Sequence, residues 1–201
     1  MRKILTIISL LIFSNCVFSQ TESYGYYIAK NRKLHEYKDL NKAVRKYKKV
    51  KSIDVANQEL KELPNDLSKL TKIVSINLLG NKFTTFPIVL SKIKTLNEIS
   101  LSTNKLLFVG KEIGALKNLR ILILNNNQLQ SLPIEIGELT NLLYLEIGNN
   151  KLRSLPEEIK YLINLQVLHV EGNYFSDEEK QRIKNLMPNC KIYFNINEPS
   201  L

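Results

Sequence analysis

Glycine is scarce in this chain, 7 residues in 201, and dispersed, so no glycine-rich loop is available to cradle a phosphate. Cysteine is scarcer: Cys16 and Cys190 allow one disulfide at most, which excludes a disulfide-stapled scaffold. There are two histidines, His35 and His169, and neither belongs to a serine–histidine–acid set. Beyond residue 19 no apolar run is long enough to cross a membrane. Acidic residues are in deficit, with 19 Asp+Glu against 29 Lys+Arg and a formal net charge of +10. Together these absences point away from phosphate transfer, hydrolysis and zinc chemistry.

What the chain has in abundance is a repeated frame. Its first apolar residue recurs every 23 residues, at Val50, Ile73, Leu96, Leu119, Leu142 and Leu165. Three, five and ten residues later come further apolar positions, such as Leu122, Leu124 and Leu129 in the fourth copy, and none is polar in any copy. With 44% of the chain hydrophobic, chance would leave more than half of these positions polar. An asparagine precedes the last of them at Asn81, Asn104, Asn127, Asn150 and Asn173, with Gln58 in the first copy.

The alternation over Leu122-Ile123-Leu124 is strand periodicity, because successive side chains point to opposite faces. An inward asparagine suits the turn that follows, since its amide both donates to and accepts from backbone groups left without partners. The return path is equally regular. Leu63-Pro64, Phe86-Pro87, Leu132-Pro133 and Leu155-Pro156 share one frame position, with Val109-Gly110 as the exception. Apolar pairs follow at helical offsets, Leu67 and Leu70, Ile113 and Leu116, Ile136 and Leu139, Ile159 and Leu162, which predicts one helical or 3₁₀ turn per copy.

The frame resembles the leucine-rich repeat, L-x-x-L-x-L-x-x-N-x-L, over residues 50–194. The resemblance implies an α/β fold: a right-handed solenoid arc of six repeats, with a parallel sheet on the concave face and helical caps at both ends. Strands about 4.8 Å apart would give that face a length of roughly 24 Å. At the front, Leu40, Ala43, Val44 and Tyr47 fall on one helical face and predict a capping helix. Behind the repeats, Ser176 followed by Asp177, Glu178 and Glu179 reads as the start of a helix, and Met187-Pro188 as its end. A last strand with Cys190, Ile192 and Phe194 inward is expected after it. Residues 20–36 show no clear period.

Residues 1–19 are of another kind. Arg2 and Lys3 precede the apolar run Ile4–Phe13, and Val17 and Ser19 suit cleavage before Gln20, as in a secretory signal peptide. The expected divisions are therefore 1–19 signal peptide, 20–49 basic segment and capping helix, 50–175 repeats, and 176–201 cap and tail. Lipid attachment at Cys16 is the alternative to simple cleavage. The lack of cysteine clusters at the ends resembles bacterial secreted members of the family, which implies a periplasmic, surface or extracellular location.

Three positions per repeat point out of the concave sheet. They predict a partner-binding surface made of Asn77, Leu79, Ser100, Ile121, Ile123, Tyr144, Glu146, Val167, His169 and Glu171. Within it, Ile121, Ile123, Tyr144 and Val167 are expected to form an open apolar patch rimmed by Glu98, Glu146, Glu171 and His169, the usual anatomy of a protein interface. His169 with its carboxylates is too sparse and too open for zinc, and no metal, cofactor or catalytic group is expected.

The charge has a narrow source. Residues 30–51 carry +8, whereas 52–201 carry only +1. Lys42, Arg45, Lys46, Lys48 and Lys49 are thus candidates for binding an acidic lipid, glycan or other polyanion, with a merely solvated capping helix as the plainer reading. No nucleic-acid motif accompanies them. The expectation is a monomeric, exported, non-enzymatic protein holding a protein or peptide partner, in the manner of bacterial relatives implicated in adhesion or cell contact. A polyanion-binding surface protein is the alternative.

Overall fold

The computed structural model describes residues 36–45 and 48–195. The signal-peptide reading of 1–19, Cys16, residues 20–35, Lys46, Tyr47 and the tail beyond Asn195 lie outside these residues.

Three-residue strands recur because only the middle one of each has to be buried. Ile53, Ile76, Ile99, Leu122, Leu145 and Leu168 are the middle residues, none more than 1% exposed. They align Cα to Cα from one strand to the next, so the register never slips. A slip of one residue would turn the whole apolar row to the open face. The strands are β2 Ser52–Asp54, β3 Ser75–Asn77, β4 Glu98–Ser100, β5 Ile121–Ile123, β6 Tyr144–Glu146 and β7 Val167–His169. β1 (Glu36–Tyr37) and β8 (Lys191–Tyr193) extend the same parallel sheet at its two edges, in sequence order throughout. β1 lies at the end of the segment that showed no period; two residues are too few to make one. Of the apolar frame positions only Leu60 is partly exposed, and it packs against the core.

The asparagines join consecutive copies. Asn127 Nδ2 donates to Leu124 O (2.9 Å) in its own repeat and to Leu101 O (3.0 Å) in the one before, while its Oδ1 accepts from Leu106 N (3.0 Å). Asn104 and Asn150 make the same set of bonds. Asn173 repeats it at the last copy. At the first copy Gln58 is exposed, and its longer side chain reaches Lys38 O at the N-terminal end (2.9 Å). A second ladder runs along the outer surface, where Asn118, Asn141 and Asn164 donate to Lys94 O, Lys117 O and Thr140 O of the preceding copy.

One residue before each ladder asparagine or glutamine the backbone is left-handed in every copy: Asn57, Gly80, Thr103, Asn126, Asn149 and Gly172 have φ between 51° and 67°. Asparagine and glycine tolerate this conformation; a β-branched threonine does not. At Gly80 and Gly172 a Cβ would also strike the side chain of the equivalent asparagine one repeat earlier, Asn57 at 2.0 Å and Asn149 at 2.1 Å.

The chain returns through five 3₁₀ turns, Asn65–Lys69, Ile88–Lys92, Lys111–Ala115, Ile134–Glu138 and Glu157–Tyr161. Extended prolines enter four of them and Gly110 enters the third. Proline suits the place because its fixed φ matches and its missing N–H needs no partner. At the ends stand α1 (Leu40–Arg45), whose Lys42 N donates to Asp39 Oδ1, and α2 (Asp177–Leu186), whose Glu179 N donates to Ser176 Oγ. Glu179 occupies the proline frame position and accepts from Leu155 N (2.9 Å). Arg182 holds the other end of the clasp by donating to Glu179 and to Leu155 O, and keeps the Glu179 carboxyl below its ordinary range.

Removing the amide of Asn127 leaves several buried backbone groups without partners, so Asn127→Ala is expected to lower stability by roughly 1–3 kcal/mol. A urea melt with an unchanged midpoint would contradict this. Thr103→Asn is expected to raise stability by about 1 kcal/mol, by relieving the left-handed strain on a branched side chain. A midpoint at or below wild type in the same melt would contradict it.

Candidate functional site

The side chains flanking each buried strand centre point away from the core, onto the concave face. Register sets them in rows: Ser52, Ser75, Glu98, Ile121, Tyr144, Val167 and Lys191 in one, Asp54, Asn77, Ser100, Ile123, Glu146, His169 and Tyr193 in the next. Every candidate residue on β3 to β7 therefore stands on this face. Leu79 and Glu171 lie two residues past the ends of β3 and β7, both partly buried. Of the described helices, α1 packs on the first 3₁₀ turn and β1, and α2 on the last 3₁₀ turn.

The expected open apolar patch is not found in that form. Ile123 is 3% exposed and Tyr144 8%, while Ile121 and Val167 are only partly buried. Glu98 and Glu146, expected at an open rim, are 8% and 2% exposed. Ile123 and Tyr144 nevertheless do not belong to the contiguous core behind the sheet. Each stands level with a side chain on the adjoining strand, Ile123 with Glu146 and Tyr144 with Ile121 and Val167, an arrangement that favours cross-strand contact. Tyr144 is one rung of a ring ladder, 5.6 Å from His169, which stacks flat on Tyr193 at 4.5 Å with 2° between the planes.

The amino half of the face is polar. Asp54 Oδ1 accepts from Asn77 Nδ2 (3.2 Å), and each carboxyl or amide oxygen also accepts from the backbone two residues on. Farther along, Ser102 donates to the Asn125 side chain. At the carboxyl half His169 Nδ1 lies 3.4 Å from Glu171 Oε2. Tyr193, part of the ring ladder, escaped the sequence reading because it belongs to the cap rather than to the repeat frame. The alternation Lys191-Ile192-Tyr193 was the signal that placed it outward.

The basic candidates lie at the far amino end. Lys42 and Arg45 are exposed on α1, Lys42 pairing with Asp39 at 3.7 Å, and Lys48 and Lys49 are exposed in the turn that follows. Cys190 offers no nucleophile, since burial pushes its thiol up to about 12. Among the described residues no group of three His, Cys, Asp or Glu is placed to hold a metal ion, and no helix is long and apolar enough to cross a membrane.

A family model for leucine-rich repeats matches residues 117–175. Among solved structures the chain is similar to a leucine-rich-repeat protein of Leptospira interrogans, at 30% identity over 72% of this chain and 54% of that one, with a TM-score of 0.50. It is similar also to the plant peptide hormone receptor RGFR1 in complex with RGF2, at 28% identity over 66% of this chain and 22% of that one, TM-score 0.58. An internalin of Listeria monocytogenes shares the fold at 17% identity over 80% and 52% of the two chains, TM-score 0.57. This chain spans 54% of the Leptospira protein's length and 22% of the receptor's. No curated protein sequence matches it.

If the face shields Tyr144 as described, Tyr144→Ala is expected to lower stability by more than about 1 kcal/mol, whereas an open surface residue would change it by about 0.5 kcal/mol or less. A thermal melt within that smaller margin would contradict the covered face.

Proposed function

Because this chain is a leucine-rich-repeat protein, we propose that it acts as a non-enzymatic module binding a protein or peptide partner on its concave face. The observation that carries this is the sheet itself. A parallel sheet is ordinarily covered on both faces, and here the described helices pack instead on the first and last 3₁₀ turns and on β1. The receptor relative, which is a peptide hormone receptor in complex with its ligand, supports the same reading. Partner contact falls on Ile121, Val167, His169 and Glu171, the partly exposed members of the carboxyl half, with Asn77, Leu79 and Ser100 extending the surface. Ile123, Tyr144 and Glu146 stand beside them in the same outward rows and are themselves buried.

The apolar run at Ile4–Phe13 behind Arg2 and Lys3 supports export, with the mature chain beginning at Gln20 and the repeats over 50–175. Exposed on an outer surface, such a module serves adhesion or contact with another cell. A second reading, polyanion binding through Lys42, Arg45, Lys46, Lys48 and Lys49, is favoured by the exposure of Lys42, Arg45, Lys48 and Lys49 at one end of the solenoid.

Capture from surface extracts separates the two readings. The expected result is a partner retained by wild type and lost with Ile121→Asp and Val167→Asp, both checked for folding by circular dichroism. Retention by both variants, with loss on neutralising Lys42, Arg45, Lys48 and Lys49, would transfer the function to the basic end.

A further inference from the structure

The 3₁₀ turns form the layer across the core from the sheet. Their inward residues, Leu67, Leu90, Ile113, Ile136 and Ile159, belong to that core, and turn packs on turn in chain order. Equivalent residues therefore stand side by side along the outer surface. Three large apolar side chains are exposed on the fourth and fifth turns: Ile134 is 59% exposed, Tyr161 53% and Ile163 78%. They line one open groove of about 540 Å³ together with Glu135, Glu138 and Glu158. Apolar side chains gathered in this way mark a docking surface. The second turn carries one more, Ile88, 57% exposed, at the frame position of Ile134 two coils earlier.

Charge divides the same layer in two. Over the first three turns and the three residues after each, six lysines stand against Asp66 and Glu112; over the last two, four glutamates stand against Lys160. Some of these charges are paired locally. Lys69 pairs with Asp66 (3.0 Å), Glu138 with Lys117, and Glu157 with Lys160 (2.6 Å), all well exposed. Lys160 is held above its ordinary range chiefly by Glu157, with Glu158 a more distant contributor. Glu135 and Glu158 are in no ion pair among the described residues, and neither are Lys72, Lys92 and Lys111. The layer thus has a basic half with one exposed isoleucine and an acidic half with an apolar groove.

We infer that two copies of this chain pack back to back through these turns, antiparallel, about a two-fold axis crossing the third turn. Such an axis sets the second turn of each copy on the fourth of the other, and the first on the fifth, so every contact is made twice. Equivalent frame positions then meet: Ile88 faces Ile134 in the groove, and Lys92 faces Glu138. Lys69 and Lys72 come to the turn that carries Glu157, Glu158 and Tyr161. A parallel pairing would instead set Lys92 on Lys92 and Glu138 on Glu138. Exposed ion pairs are weak singly, so the apolar contact supplies the affinity and the charges fix the direction. The result is a dimer in place of the monomer expected from the sequence. Dimerisation goes beyond the concave-face reading and does not need it. With both in force the molecule is bivalent, its two hollows opening in opposite directions, and gains avidity that a single copy lacks.

Sedimentation of the purified protein over a range of concentrations tests this. A concentration-dependent dimer is expected, with a dissociation constant about tenfold or more higher in Ile134→Asp and in two double variants, Glu135→Lys with Glu138→Lys and Lys72→Glu with Lys92→Glu. All five side chains are exposed or partly so, and circular dichroism is expected to show unchanged folding. Mixing the two double variants is the decisive arm. Each repels itself, but in the mixed pair both copies of the contact again join opposite charges, so association is expected to return towards wild type. A protein that stays monomeric at every concentration, or a mixture no more associated than either variant alone, would overturn the inference. So would a dimer indifferent to these variants and broken by Ile121→Asp, which would place the contact on the concave face. A monomer whose captured partner is lost with Ile134→Asp would give the groove to a foreign protein and overturn it equally. Ile134→Asp is expected to leave capture through Ile121 and Val167 in place, so either claim can fail while the other stands.

Discussion

The structure depends on one side-chain amide placed identically in successive coils. Each ladder asparagine donates to a carbonyl of its own repeat and to one of the preceding repeat, and accepts a backbone N–H from that preceding repeat. The chain must leave each three-residue strand through a turn that would otherwise bury unpaired backbone groups, and such groups are among the most destabilising features a fold can carry. Because the amide bonds to two coils at once, satisfying the turn and stacking the coils are the same event. The 23-residue step, the unslipped register and the rows of outward side chains all follow from it. The left-handed residue just before the amide aims it, and Thr103 shows that the geometry is kept even where the local residue resists it.

Much of this was legible in the sequence because each requirement recurs. The buried strand centres recur six times, the ladder asparagine five times and the proline-entered turn four times, and the structure uses each where its recurrence indicated. What stayed hidden was either too short or shared between copies. β1 is two residues long and has no period of its own. The outer ladder of Asn118, Asn141 and Asn164 occupies a position filled by lysine or threonine in earlier copies, so its role shows only once the coils stand side by side. The concave face illustrates a different limit. Direction was readable, since alternation fixes which side chains point outward; exposure was not. Ile123 and Tyr144 point away from the core and are still buried, and alternation says nothing of what stands over a face.

That distinction shapes the functional picture. On the carboxyl half of the concave face Ile123, Tyr144 and Glu146 are buried, whereas Ile121, Val167, His169, Glu171 and Tyr193 of the same layer are partly exposed. The same coils leave the basic residues at the opposite end, so the molecule presents carboxyl groups with rings in its hollow and a cationic tip.

Native-state hydrogen exchange at the backbone amides of Phe83, Leu106, Leu129 and Leu152 tests the central claim most directly. These amides lie outside strands and helices and donate only to the asparagine of the following coil, at 3.0 to 3.1 Å. The account predicts protection comparable to that of the strand amides, lost at Leu106 when Asn127 is replaced by alanine. Exchange of all four at the rate of exposed loop amides in the wild-type protein would contradict it.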